Sequence, residues 1–191
     1  MANHWAVRGL ALFTCAAAFY AQAPTQKQVA GLETDWEIAA TLQAIAAHAD
    51  RLLPMLEKID VYGWVEKGAS DTYLSQLQSS KVQSRALAEG AKMLAGNPQK
   101  LSASLELFLR IEGLENMLAS LEEGIRKYQG PTDAMALASL EAENGVNRER
   151  FQRYIVELAA QRERDLEVMD HEAQRCRAIV TQAAPKPVRK K

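Results

Sequence analysis

Four long segments of this chain repeat apolar residues at alternating steps of three and four, and none alternates in twos. That period keeps the apolar side chains on one face at about 3.6 residues per turn, so the chain reads as all-α. The first segment carries Ile38, Leu42, Ile45, Ala49, Leu52, Leu56 and Ile59. Pro54 falls inside it, where the missing N–H and the crowded carbonyl of Asp50 predict a kink. The second opens at Ser70 or Asp71 and carries Leu74, Leu77, Leu87, Ala91 and Leu94, with a polar middle at Ser80, Lys81 and Ser84. Gly96 suits a left-handed stop, Asn97 suits the next cap and Pro98 a first turn.

The third segment is the most core-like, with Leu107, Ile111, Leu114, Leu118, Leu121, Ile125 and Tyr128 in series and Leu101, Leu105 and Phe108 widening the face. Gln129-Gly130-Pro131 ends it, and Thr132 or Asp133 can cap the next helix. The fourth, residues 133–180, contains no proline, and only Gly145, flanked by Asn144 and Asn147, interrupts it. Whether it bends there is left open by the pattern. Uninterrupted, it outruns the third by about a third of its length. The overhang carries Leu166, Met169, Ala173, Cys176 and Val180, a narrow seam suited to one partner helix. The first segment's pattern extends backwards through Trp36, Leu32 and Val29. The expectation is an up-down-up-down four-helix bundle whose long last helix extends beyond it and pairs with the start of the first.

The two ends change this picture. Arg8, an apolar run over residues 9–20 and Ala21-Gln22-Ala23 before Pro24 read as a secretory signal peptide, residues 1–23, removed on export. The run falls short of the about 20 residues that a bilayer span needs. A rival reading is lipid attachment at Cys15, which bulky Phe13 and Thr14 suit badly and which shortens the apolar run. Residues 24–181 are then the bundle domain, in the periplasm or outside the cell. Residues 182–191, with Pro185, Pro187, Lys186, Arg189, Lys190 and Lys191, read as a disordered basic tail behind an acidic body. That tail can touch an anionic surface weakly, and export with an acidic body argues against nucleic acid.

Of the 2 cysteines, Cys15 leaves with the signal, so Cys176 cannot form an internal disulfide. It is either an interchain disulfide or a small seam residue. Tyr62 and Trp64, on the link from Asp60 to Gly68, either grip a ligand or plug the bundle's end. Neither His48 nor His171 has a Glu three residues before it, so the di-iron pattern of bundles is missing; Glu167 and His171 are two ligands and not a site. No Cys-x-x-Cys-His, Walker loop, dinucleotide fingerprint or nucleophile elbow occurs. The dense mixed charges over residues 162–177 either solubilise a long helix, through pairs such as Arg164 with Glu167 and Glu172 with Arg175, or form a docking face. Asn144 either fixes register or borders a polar pocket.

No residue set argues for an enzyme, and no cofactor is implied. The sequence favours a non-enzymatic, exported helical module that binds a protein partner or itself through the overhang, with Cys176, Leu166 and Met169 in the contact. The alternative is a small-ligand or haem carrier lined by Met117, Phe108 and Asn144, in which Met117 or Met169 with a histidine could hold the haem.

Overall fold

The computed structural model describes residues 32–183, and every regular element among them is helical. The expected signal peptide, Val29 and the basic tail beyond residue 183 lie outside the described residues. α1 (Asp35–Glu57) begins at a reciprocal cap. The Glu37 carboxylate accepts from the Thr34 N–H at 3.1 Å and from its hydroxyl at 2.7 Å, while the Thr34 carbonyl accepts from the Glu37 N–H at 3.0 Å. Leu32 therefore precedes the helix rather than extending it, and Trp36, expected on the paired face, is 72% exposed. At the other end α1 runs through Pro54 and stops at Glu57, so Ile59 is buried from the connection and not from the helix.

The short α2 (Val61–Glu66) comes next, its first turn held by the Asp60 carboxylate accepting from the Gly63 N–H at 3.0 Å. α3 (Thr72–Ala95) packs along α1, and the polar middle read from the sequence is what lets them approach. Ser84 is fully buried and donates to the Ala49 carbonyl at 2.7 Å, and Ser80, also buried, donates to Gln76 O within its own helix. Gly96 is not left-handed: at φ −77° and ψ −18° it continues the right-handed turn, closed by Gly96 N–H to Met93 O and Asn97 N–H to Leu94 O. The next helix consequently starts later than Asn97-Pro98 suggests.

α4 (Leu101–Tyr128) packs against α3 and buries Leu107, Ile111, Leu114, Leu118, Leu121 and Ile125, the series read from the sequence. Gly130, at φ 153°, turns the chain, and Pro131 rather than Thr132 or Asp133 opens the following helix.

The expected fourth helix is two. α5 (Pro131–Ala142) lies on α4, and α6 (Gly145–Ala183) lies on α1 and α4. The break occupies Glu143 and Asn144, whose N–H groups make short turns back to Leu140 O and Glu141 O before Arg148 N–H restarts the ladder on Asn144 O at 2.9 Å. Gly145 itself has ordinary backbone angles and open space around it, so the bend does not depend on its lacking a side chain. α6 is pinned on its buried half by Arg148 to Glu112 and Glu115, each 2.9 Å, and by Arg150 to Glu33 at 2.8 Å. The whole is a helical bundle, and no helix of the described residues is long and apolar enough to cross a membrane.

A projecting helix as the candidate interaction surface

The apolar face of α6 changes surroundings midway. Phe151, Tyr154, Ile155 and Leu158 are buried at 0 to 6% exposure; from residue 159 to residue 181 none is buried, and residues 166–181 are exposed throughout. With 39 residues α6 spans about 58 Å, of which residues 166–181, about 24 Å, are exposed. Leu166 and Met169 are 60% and 59% exposed and Val180 69%, with Ala173 and the free thiol of Cys176 between them. Val168 and Ile179 add a second exposed pair. Large apolar side chains left open side by side on one helix face form the kind of patch that marks an interaction surface when it is contiguous.

The polar side of the same stretch is bonded within itself. Arg175 pairs with Glu172 at 3.1 Å, Gln174 donates to Asp170 at 2.8 Å, and Arg164 donates to Gln161 at 2.8 Å rather than pairing with Glu167. At the root, Arg162 donates to the Gln99 carbonyl at 3.3 Å, and Gln99 donates to both oxygens of Asp35 at 3.1 Å. The overhang thus leaves the bundle where α1 begins and where α3 turns into α4. A helix without packing is marginal in water, because tertiary burial supplies most helical stability. Pairs of this kind add only about 0.2 to 0.5 kcal/mol each.

The two aromatics of the link separate. Trp64 is 1% exposed, its ring stacked on Tyr128 at 5.9 Å and edge-on to Tyr73 at 5.6 Å, which makes it the plug of that end. Tyr62 is 75% exposed. They do not form a joint grip. Trp64 fits because Gly124 faces it: a Cβ there comes within 2.7 Å of the indole.

Of the residues expected to line a carrier, Met117 borders a cleft of about 300 Å³ with Gln83, Glu106, Leu109, Arg110, Gly113 and Leu114, a set that contains neither Phe108 nor Asn144. His48 is buried, its Nε2 2.8 Å from Leu140 O, while Glu167 and His171 are exposed on the overhang. No group of three or more His, Cys, Asp or Glu that could hold a metal occurs among the described residues.

A second polar cluster sits at the α5–α6 break and joins Asn144, read from the sequence as a register or pocket residue, to Glu141, which the pattern does not single out. Asn144 is 3% exposed, and one oxygen each of Asn144 and Glu141 is sealed from solvent with no donor. Desolvation, reinforced by the charges of Glu122 and Glu115, pushes the Glu141 carboxyl up to about 7. Burial holds the His48 imidazole below its usual range, partly offset by the bond to Leu140 O. A signal is present in the sequence all the same: positions 134, 137, 141, 144 and 148 form a three-four series that begins with Ala134 and Leu137 and then turns polar. The nearest cleft, bounded by Arg51, Pro54, Met55, Ala136, Ser139, Leu140 and Glu143, does not reach Glu141. The cluster bears on the stability of the break.

No family model matches the chain, and no curated protein or solved structure shows significant similarity to it.

Proposed function

We propose that this is an exported, non-enzymatic interaction module, working in the periplasm or outside the cell, whose projecting α6 segment associates with another protein chain. The carrying observation is the exposed seam of Leu166, Met169, Ala173, Cys176 and Val180 on a helix that leaves its own bundle. An up-down-up-down order supports the projection. His48, late in α1, meets Leu140 on α5, while Glu33, just before α1, meets Arg150 in the second turn of α6, contacts that favour α1 running opposite to the α5–α6 stretch. Export rests on residues 1–23 and their signal-like order of Arg8, apolar run and Ala21-Gln22-Ala23. The basic tail at residues 182–191 adds a weak affinity for anionic surfaces.

The test is a photoreactive amino acid placed at Met169 in cells of the source organism, with the same probe at exposed Val82 on α3 as the control. The reading predicts a discrete adduct from Met169 and none from Val82. Absence of any adduct at Met169 contradicts it.

A further inference from the structure

We infer that the occupant of the α6 seam is a second copy of this chain, lying antiparallel, in one register that sets Cys176 of each copy against Ala173 of the other. The inference rests on the proposed interaction role and names its partner.

Orientation is set by the way the seam faces. Phe151, Ile155, Leu158, Arg162, Leu166, Met169, Ala173, Cys176 and Val180 step by 4-3-4-4-3-4-3-4, which drifts only about 20° over the whole stripe. The exposed seam is therefore the continuation of the face that buries Phe151, Ile155 and Leu158 against α1 and α4. A second α6 laid parallel on it must, below Arg162, enter the volume that α1 and α4 fill. It also sets Asp165 of each chain against Asp170 of the other, a like-charge flank. Laid antiparallel, the second helix carries its own bundle away beyond the far end, and neither bundle is obstructed.

Register is set by where burial stops. Antiparallel seams interlock only in steps of seven residues, about 10 Å. Placing Cys176 opposite Leu166 of the other copy drives that copy's last described turn down to residues 159–162, where Arg162 is bonded to the Gln99 carbonyl at the root of the overhang, and sets Asp170 against its own counterpart. Sliding one step the other way leaves Leu166 and Met169 uncovered. The step between them sets Met169 opposite Val180 and Ala173 opposite Cys176, twice each by symmetry, with the two small residues at the centre where the helices come closest. On its flank Asp170 of each copy faces Arg177 of the other, so the two charges that the seam leaves beside it become complementary pairs.

The arrangement has a chemical consequence. Two Cys176 thiols lie one turn apart across the interface, so the native chain does not close a Cys176–Cys176 disulfide, and association is insensitive to reductant.

The experiment oxidises the full chain with a glutathione redox buffer and resolves it on nonreducing gels with intact mass. Three proteins are compared: the native chain, Ala173→Cys, and Ala173→Cys combined with Cys176→Ser. The expected result is a covalent dimer from Ala173→Cys alone, since only it places a thiol opposite a thiol. A dimer of the native chain through Cys176 overturns the orientation, and no dimer from Ala173→Cys overturns the second copy as occupant. In a companion sedimentation series Asp170→Arg should weaken association at least tenfold and Asp170→Arg with Arg177→Asp should recover it; indifference to both overturns the register. If Ala173→Cys fails while Met169 still yields an adduct with another protein, the interaction reading stands and the second copy does not. If Met169 yields nothing because residues 1–31 of the same chain cover the seam, both fall.

Discussion

Glu141→Gln offers a sharp test of how the α5–α6 break is held. In the native chain the carboxyl rises from 4.5 to about 7, chiefly because it is desolvated and secondarily because Glu122 and Glu115 lie nearby. A raised acid binds its proton more tightly in the folded state than in the unfolded one. Stability therefore falls as pH climbs from 4.5 towards about 7, and levels off above. At about 1.4 kcal/mol per unit the full displacement amounts to about 3 kcal/mol; because the side chain is only partly enclosed, screening reduces this to about 1 to 2 kcal/mol. Glutamine keeps the shape and stays neutral. It should stabilise the protein by about 1 to 2 kcal/mol at pH 8, and by progressively less as pH falls, with no difference remaining near pH 4.5. His48 acts in the opposite sense, since its lowered pKa contributes stability above 6.5 that is lost as pH drops. It is common to both proteins and cancels in their difference. The assay is urea unfolding by circular dichroism at several pH values. A pH-independent difference, or a glutamine variant less stable at pH 8, refutes the argument.

Three other outcomes are expected. Gly124→Ala should destabilise by about 1 to 3 kcal/mol despite a gain in helix propensity, because its Cβ falls 2.7 Å from the Trp64 ring, whereas Gly113→Ala, with open space around it, should stabilise by about 0.5 to 1 kcal/mol in the same urea series. Ser84→Ala should cost about 1 kcal/mol by leaving the buried Ala49 carbonyl without the 2.7 Å donor, measured as a shift in unfolding midpoint at constant slope. Intact mass of the protein from its native host should begin at Pro24, and a retained residue 1 contradicts the signal reading.

The series of α4 is legible in the sequence because its entire stripe is apolar and lies against neighbours on both sides, so period alone decides it. The break before Gly145 is half legible. Asn144 and Gly145 draw attention, but the turn is made by the Glu143 and Asn144 N–H groups folding back, just ahead of where a glycine-centred reading puts it. Gly96 misleads for a related reason, since a glycine permits a left-handed stop without requiring one. Trp64 and Tyr62 share one short helix, and what separates the plug from the exposed ring is Gly124, distant in sequence and adjacent in space. Glu141 escapes notice because an acid on an apolar stripe is easily read as surface. Only the packing of α5 on α4 encloses part of it.

The seam on α6 is the reverse case: its pattern is plain in the sequence, and the structure adds the direction in which it faces. Sedimentation of the chain from Pro24 onward, across rising micromolar concentration and with reductant present, tests directly whether that face is an association surface. The account predicts a reversible rise towards twice the monomer mass, abolished by Leu166→Glu with Met169→Glu while the unfolding midpoint stays unchanged. A monomer at every concentration, or association that survives both substitutions, contradicts it.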